Sequence, residues 1–557
     1  MAPATSTREP IDLHLMDIVH ADTRKWYQKR NLRFLYFILV PTCIGTEWTL
    51  GFDGSIMNNL QAVPSWLEYF NNPSSGRLGL LNAIHSLGMV MAVPFEPRVS
   101  QWLGRRWTIA FGSGVMWLGA GIQAGARNTD IFLASRWLLG FGILFVICEA
   151  SALIGELAYA KERATMTSLF SANYWIGSII ASGVTTGTFA MESTWGWRIP
   201  SLLQAVFSAI QVVFLPFCPE SPRWLISHGR GADAYEILQK YHSEGVEGDE
   251  YVRREYAQIQ ASLKLERELA KRFLWADVFR DKAMFHRFAV SGLTGVFGQT
   301  SGNGLITYYF AKVLRTVGVD NNRTIQQIIL SNNCWGLINS VPLSIIAPRY
   351  PRRHMFILGA LGMAACFTAW TVASARYETS ASSSAAAASI AFVFLYNPYV
   401  YPFIILSSPQ MHPWVQCGLS NHAAGSNSFL NIGLNALAYT YIVELFPYTQ
   451  RSQGLAFKQL IGRLGNFFNA YVNPIALDAI GWKYYIFYCV WLVAQAGIVF
   501  LVFPETHNAS LEDLSFLLEG EEVGGRMRRD VQGRLGGDGG GVGGVVEEGR
   551  KAVVGKA

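Results

Sequence analysis

Apolar residues in this 557-residue chain gather in long runs separated by short polar, charged or Gly- and Pro-bearing stretches. The runs lie near 34–52, 77–96, 107–125, 131–154, 166–188 and 198–217. A second set lies near 287–310, 326–347, 355–375, 386–401 continuing at 430–446, 453–475 and 484–503. A helix needs about 20 mainly apolar residues to cross the hydrocarbon core of a bilayer. The pattern therefore predicts an all-α membrane protein of twelve transmembrane helices in two six-helix bundles, 34–217 and 287–503. Between them, 218–286 is highly charged, and Tyr251 to Phe273 alternates in sign as an exposed helix does, so this segment reads as a helical linker.

Composition narrows the class. Of all residues 51% are hydrophobic and 15% charged, against about 25% charged in soluble domains. A soluble enzyme, a disordered scaffold and a single-anchor receptor all fit poorly. The net charge of +6 is spread over loops and tails and forms no strip that follows a phosphate backbone, so nucleic acid is not an expected partner. Seven cysteines sit singly, mostly in apolar runs, with no C-x-x-C pair, and read as free thiols. Residues 1–33 are polar and carry Arg24, Lys25, Lys29, Arg30 and Arg33 just before the first run, which reads as a retained span and not a cleaved signal. With Lys and Arg rich there and in the linker, the positive-inside tendency puts 1–33, the linker and the tail 504–557 in the cytoplasm. The Gly-rich end, 519–557, has the composition of a disordered tail.

Two charged signatures recur, as duplication of a six-span unit predicts. Glu156-Leu157 is followed seven residues on by Arg163, and Glu444-Leu445 by Arg451 at the same spacing. Gly104-Arg105-Arg106 likewise has a counterpart in Pro351-Arg352-Arg353. From Gly104 to Glu156 is 52 residues and from Pro351 to Glu444 is 93, so the second half is about 41 longer. Most of the excess lies in 402–429, too polar and Pro-rich for regular helix in lipid, which interrupts the tenth span. An external loop with an apolar lead-in and a translated intron both account for it.

Further motifs follow in order: Gly51-Phe52-Asp53-Gly54 with Pro64-Ser65-Trp66; Arg136 with Gly140 and Gly142; Pro219-Glu220-Ser221-Pro222-Arg223-Trp224-Leu225; Gln299-Thr300-Ser301-Gly302-Asn303 with Tyr308-Tyr309; Asn473-Pro474; and Pro504-Glu505-Thr506. Together with the repeated signatures they resemble the sugar porter family of the major facilitator superfamily, most closely the lactose-permease-like and hexose-transporter-like members found in fungi. The resemblance covers roughly residues 30–515. It implies two bundles that rock around a midplane sugar site in a multi-pass protein of the plasma membrane. The activity it implies is uptake of a hexose or lactose-like disaccharide, with a proton as co-substrate.

Ionised groups at membrane depth are costly and functional by default. The family pairs an Asp and an Arg where Asp53 and Arg136 stand, and protonating Asp53 would weaken the pair and let the bundles change state. A sugar needs amide and phenol donors and acceptors. Gln299, Asn303, Tyr308 and Tyr309 in the seventh span meet that need, with Gln299 and Asn303 four apart and so on one helix face. Ser171, Asn173, Asn339 and Tyr439 are further candidates, each with helix-to-helix bonding as the alternative. Arg105, Arg106, Glu156, Arg163, Glu220, Arg223, Glu444 and Arg451 fall at cytoplasmic helix ends, where the resemblance implies a gate of pairs across the two bundles.

The chain also departs from the family. An Asp expected three residues before Gly104 is Gln101, and in the second half that Asp and the Gly are Pro348 and Pro351. Glu149, inside the fourth span, has no evident partner. A facilitative carrier, a sugar sensor and a degenerate non-transporting member therefore stand as alternatives to active uptake. No metal cluster, phosphate loop or cofactor motif is present, so no cofactor and no enzyme activity are expected.

Overall fold

The computed structural model describes residues 22, 24–163, 166, 170, 173–270, 282–346, 351–396, 441–442, 445–446 and 451–505. All regular structure among them is helical. Helix α1 is Arg30–Leu60. It is followed by α2 (Ser75–Ala92), α3 (Arg105–Ala124), α4 (Thr129–Leu157), α5 (Tyr174–Thr188) and α6 (Trp195–Phe214). The linker holds α7 (Gly231–His242) and α8 (Glu250–Ala270). The second half holds α9 (Lys282–Thr300), α10 (Asn303–Thr316), α11 (Asn322–Ile346), α12 (Arg352–Ser380), α13 (Ser383–Tyr396), α14 (Arg451–Ile480) and α15 (Tyr484–Val502). The interrupting segment 402–429 and most of 430–446 lie outside the described residues.

Sequence explains several local shapes. Pro41 has no N–H, and its ring crowds the carbonyl one turn earlier, so Val40–Ile44 widens into a π turn within α1. The predicted seventh span is not one helix. It breaks between α9 and α10, where Gly302 takes φ +94°, a conformation a side chain resists. A Cβ on Gly302 would also stand 2.5 Å from Phe367 Cζ. Elsewhere helices touch through backbone. A Cβ on Gly140 of α4 would lie 1.9 Å from the His85 carbonyl oxygen, and one on Gly88 of α2 would lie 2.2 Å from that of Trp137. Paired glycines thus let α2 and α4 approach closely, the usual device of helices in lipid.

Each half has its own core. Leu35, Leu39, Ile143, Phe145 and Leu153 pack together in the first, joined by the linker residues Leu238, Tyr251 and Val252. Phe288, Phe297, Met363, Phe367, Trp370 and Tyr485 pack in the second. Large apolar side chains face outward around both, including Phe37, Val213, Val490 and Leu501, which suits a lipid surround. The linker is fastened to the first half. Glu244 accepts from the N–H groups of Asn31 and Leu32 (3.0–3.1 Å). His242 bonds Glu255 at 2.6 Å and reaches the Leu157 carbonyl at 3.2 Å, and Arg163 pairs with Glu255 at 3.4 Å. Burial alone would raise the Glu255 carboxyl, but His242 and Arg163 hold it below its ordinary value.

The halves meet mainly at the ends remote from the linker. There Gln61 donates to the Tyr308 carbonyl (2.7 Å), Gln326 to the Asn59 carbonyl (2.8 Å) and Lys312 to Ser75 Oγ (2.7 Å). Deeper in, Asn466 of α14 donates to Ser86 of α2 at 2.8 Å.

Candidate functional site

The π turn in α1 is followed by a buried polar stretch that includes Glu47, Asp53, Ser55, Asn58 and Asn59. Asp53 is at its centre and fully buried. Arg136 of α4, 1% exposed, places Nη1 at 2.5 Å from Asp53 Oδ1 and 3.4 Å from the Asp53 carbonyl. The other carboxylate oxygen faces a second basic group: His85 Nε2 of α2 is 2.5 Å from Oδ2. That contact lies off the hydrogen-bonding axis of the ring nitrogen, and neither Oδ2 nor Nε2 has a hydrogen-bond partner. One carboxylate from α1 is thus held between bases from α4 and α2, at the level where Gly140 and Gly88 bring those two helices together.

The polar residues expected to meet a sugar are distributed differently from the expectation. Because the helix breaks at Ser301-Gly302, the four-residue spacing of Gln299 and Asn303 does not put them on one helical face. Asn303 Nδ2 reaches the Gly298 carbonyl at 3.3 Å, while its Oδ1 is buried without a partner. The Gln299 carbonyl accepts from Asn469 at 2.6 Å. The Tyr308 hydroxyl accepts from Asn466 at 3.3 Å. Tyr309 is fully buried, and its hydroxyl accepts from Asn82 (2.9 Å) and donates to the Ala470 carbonyl (2.5 Å), so it joins the closure between the halves and does not line open space. Asn173 accepts from Trp48 Nε1 at 3.2 Å. The Asn339 side chain, Ser171 and Tyr439 lie outside the described residues.

At the linker end, Arg105 gathers acidic groups of its own half. Nη1 is 3.1 Å from Glu149 and Nη2 is 3.2 Å from Glu156. Glu220 accepts from the N–H groups of Ser221 (2.8 Å), Arg105 (3.1 Å) and Arg106 (3.3 Å). Burial pushes its carboxyl up from the ordinary value, and these N–H groups pull it part of the way back. The second half repeats the motif: Glu505 accepts from the N–H groups of Arg352 (2.9 Å) and Arg353 (3.1 Å). On this face Arg105 pairs with Glu149 and Glu156, Arg163 with Glu255, and Glu220 with the Arg105 and Arg106 N–H groups, each within the first half and its linker. Arg223 lies in the short helix Pro222–Ser227. Glu444 and the Arg451 side chain lie outside the described residues.

The family model described as "Sugar (and other) transporter" matches residues 38–418 and 399–518. The chain belongs to the sugar transporter family. It is 24% identical over 528 residues to a high-affinity glucose transporter of Kluyveromyces lactis, covering 90% of this chain and 88% of that one. It is 25% identical to the hexose transporter HXT13 of Saccharomyces cerevisiae, covering 87% and 83%. Among solved structures, the xylose transporter XylE from E. coli in a partially occluded inward open conformation superimposes with a TM-score of 0.67 at 18% identity, over 86% of this chain and 100% of that one. XylE described as a proton:xylose symporter, bound to 6-bromo-6-deoxy-D-glucose, gives 0.67 at 20%, over 88% and 100%. The fold is the twelve-helix major facilitator fold. The two parts of the family match meet within 399–418, at the start of the interrupting segment.

This sugar transporter holds site residues that sequence reading passed over. His85 carries a signal, being an ionisable side chain in an apolar run. Asn466, Asn469 and Asn473 recur at three- and four-residue spacing and so share a face of α14. Tyr488 ties Asn469 and Asn473 together, its hydroxyl standing 2.8 and 2.7 Å from their Oδ1 atoms with one proton shared between them. Glu149, without an evident partner in the sequence, has Arg105 as its partner.

Proposed function

We propose that this member of the sugar transporter family takes up a hexose or a lactose-like disaccharide together with a proton, by alternating access across the plasma membrane. The observation that carries the reading is the buried Asp53–Arg136 pair, at 2.5 Å inside the first bundle. A carboxylate so placed is stable while charged and paired; protonation removes the charge that holds Arg136, and the two protonation states then favour different bundle arrangements. The glucose and hexose transporters among the relatives support a sugar as cargo. Asn303 Oδ1 without a partner, and the amides and phenol of Gln299, Asn466 and Tyr308 near it in sequence or contact, offer the donors and acceptors that sugar hydroxyls need. The linker face is the cytoplasmic one in this reading, and the closed ends face outward.

The experiment is uptake of a panel of labelled sugars by a transport-deficient host expressing the chain and Asp53→Asn. Asp53→Asn is expected to lose accumulation against a gradient and sugar-driven proton entry while still exchanging sugar. If it accumulates sugar as the unaltered chain does, Asp53 does not couple the proton, and a facilitative carrier becomes the better description.

A further inference from the structure

We infer that His85 is the second station of the coupled proton, receiving it from Asp53 and linking that transfer to the contact between the bundles. The inference rests on the symport reading above and deepens it. Asp53 Oδ2 and His85 Nε2 are buried, lie 2.5 Å apart and have no other partner, while Oδ1 is occupied by Arg136. The carboxylate therefore offers one oxygen to a permanent cation and the other to an imidazole, a side chain that can both take and give a proton. The charged groups bearing on His85 are Asp53 from α1, Arg136 from α4 and Arg463 from α14 of the other half.

The transfer balances with one proton and no other reactant. A proton entering from the side remote from the linker binds Asp53 and releases Arg136. In its Nδ1–H tautomer, His85 has a lone pair on Nε2, and a small rotation about the soft χ2 torsion aligns it with Oδ2. The O–H bond breaks as the N–H bond forms, leaving a carboxylate that re-pairs with Arg136 and an imidazolium. The imidazolium then gives that proton to water on the linker side, which restores neutral His85. The helix carrying His85 also touches the other bundle. Asn82, three residues before it, donates to Tyr309 at 2.9 Å, and Ser86, the next residue, accepts from Asn466 at 2.8 Å. A change of charge at His85 thus acts on a helix that joins the two halves.

The test compares His85→Gln and His85→Asn with the unaltered chain and Asp53→Asn in reconstituted vesicles. It measures sugar accumulation under a proton gradient, counterflow exchange without one, and the pH profile of uptake. Accumulation is expected to fall about tenfold or more beyond any fall in exchange in both His85 variants. The pH dependence between about pH 5 and 8 is expected to flatten. If both variants keep the accumulation and pH profile of the unaltered chain while Asp53→Asn loses accumulation, symport stands and the role of His85 is overturned. Equal loss of exchange and accumulation in both variants also overturns it, leaving His85 a packing residue. If Asp53→Asn accumulates sugar normally, the symport reading falls and takes this inference with it.

Discussion

Replacing Tyr309 with Phe separates two roles for that residue, sugar ligand and bundle latch. The hydroxyl is the centre of two bonds of different kinds. It donates to the Ala470 carbonyl within the second half, and it accepts from Asn82 of the first. Ala470 lies four residues before Pro474 in α14, and proline has no N–H, so its carbonyl lacks the helical donor and takes the phenol instead. Removing the hydroxyl orphans that carbonyl, at a cost of about 1–3 kcal/mol borne by the second half whichever way the transporter faces. The bond to Asn82 joins the two halves, and losing it costs this closed arrangement about 1 kcal/mol, a shift of about fivefold toward the opposite state. Asn82 Nδ2 keeps its other bond, to the Leu78 carbonyl at 3.2 Å. Spin labels on the exposed Glu68 and Arg323, at the closed ends of the two halves, report the change as a larger long-distance population in pulsed dipolar measurements. An unchanged distance distribution together with weakened sugar affinity would refute the latch and return Tyr309 to the sugar site.

Other consequences are open to measurement. Gly302→Ala forces a Cβ into φ +94° and against Phe367, so it is expected to destabilise the second half by about 2–4 kcal/mol, read by chemical denaturation in detergent, and an unchanged midpoint would mean that the break between α9 and α10 is not held as described. Glu255 is held below its ordinary value, so its contribution to linker docking is present above about pH 4.3 and is lost as pH falls through the lower folded value. His242→Asn is expected to move that acid limb upward, followed by hydrogen exchange of α7 and α8 against pH; an unmoved limb would remove His242 as the cause.

The apolar runs, the duplicated Gly104-Arg105-Arg106 and Pro351-Arg352-Arg353 signatures and the Asp53/Arg136 pair were all legible in the sequence. A run of apolar residues long enough to span lipid has few other uses, and a charge inside such a run needs a partner. The family match divides at 399–418, close to where the repeat spacing places the excess residues. What the sequence could not reveal is which helices meet and at what level. Periodicity gives the faces of one helix; the approach of α2 to α4 depends on Gly88 and Gly140 facing each other's backbone, and that approach sets His85 beside Asp53. The face shared by Gln299 and Asn303 was inferred from an unbroken helix, and the turn at Gly302 removed it. Arg105 found Glu149 because α3 and α4 are antiparallel neighbours, a relation 44 residues of sequence conceal. Tyr309 looked like a ligand residue by type, yet Pro474 on a different helix left a carbonyl in want of a donor, and packing in three dimensions supplied the phenol.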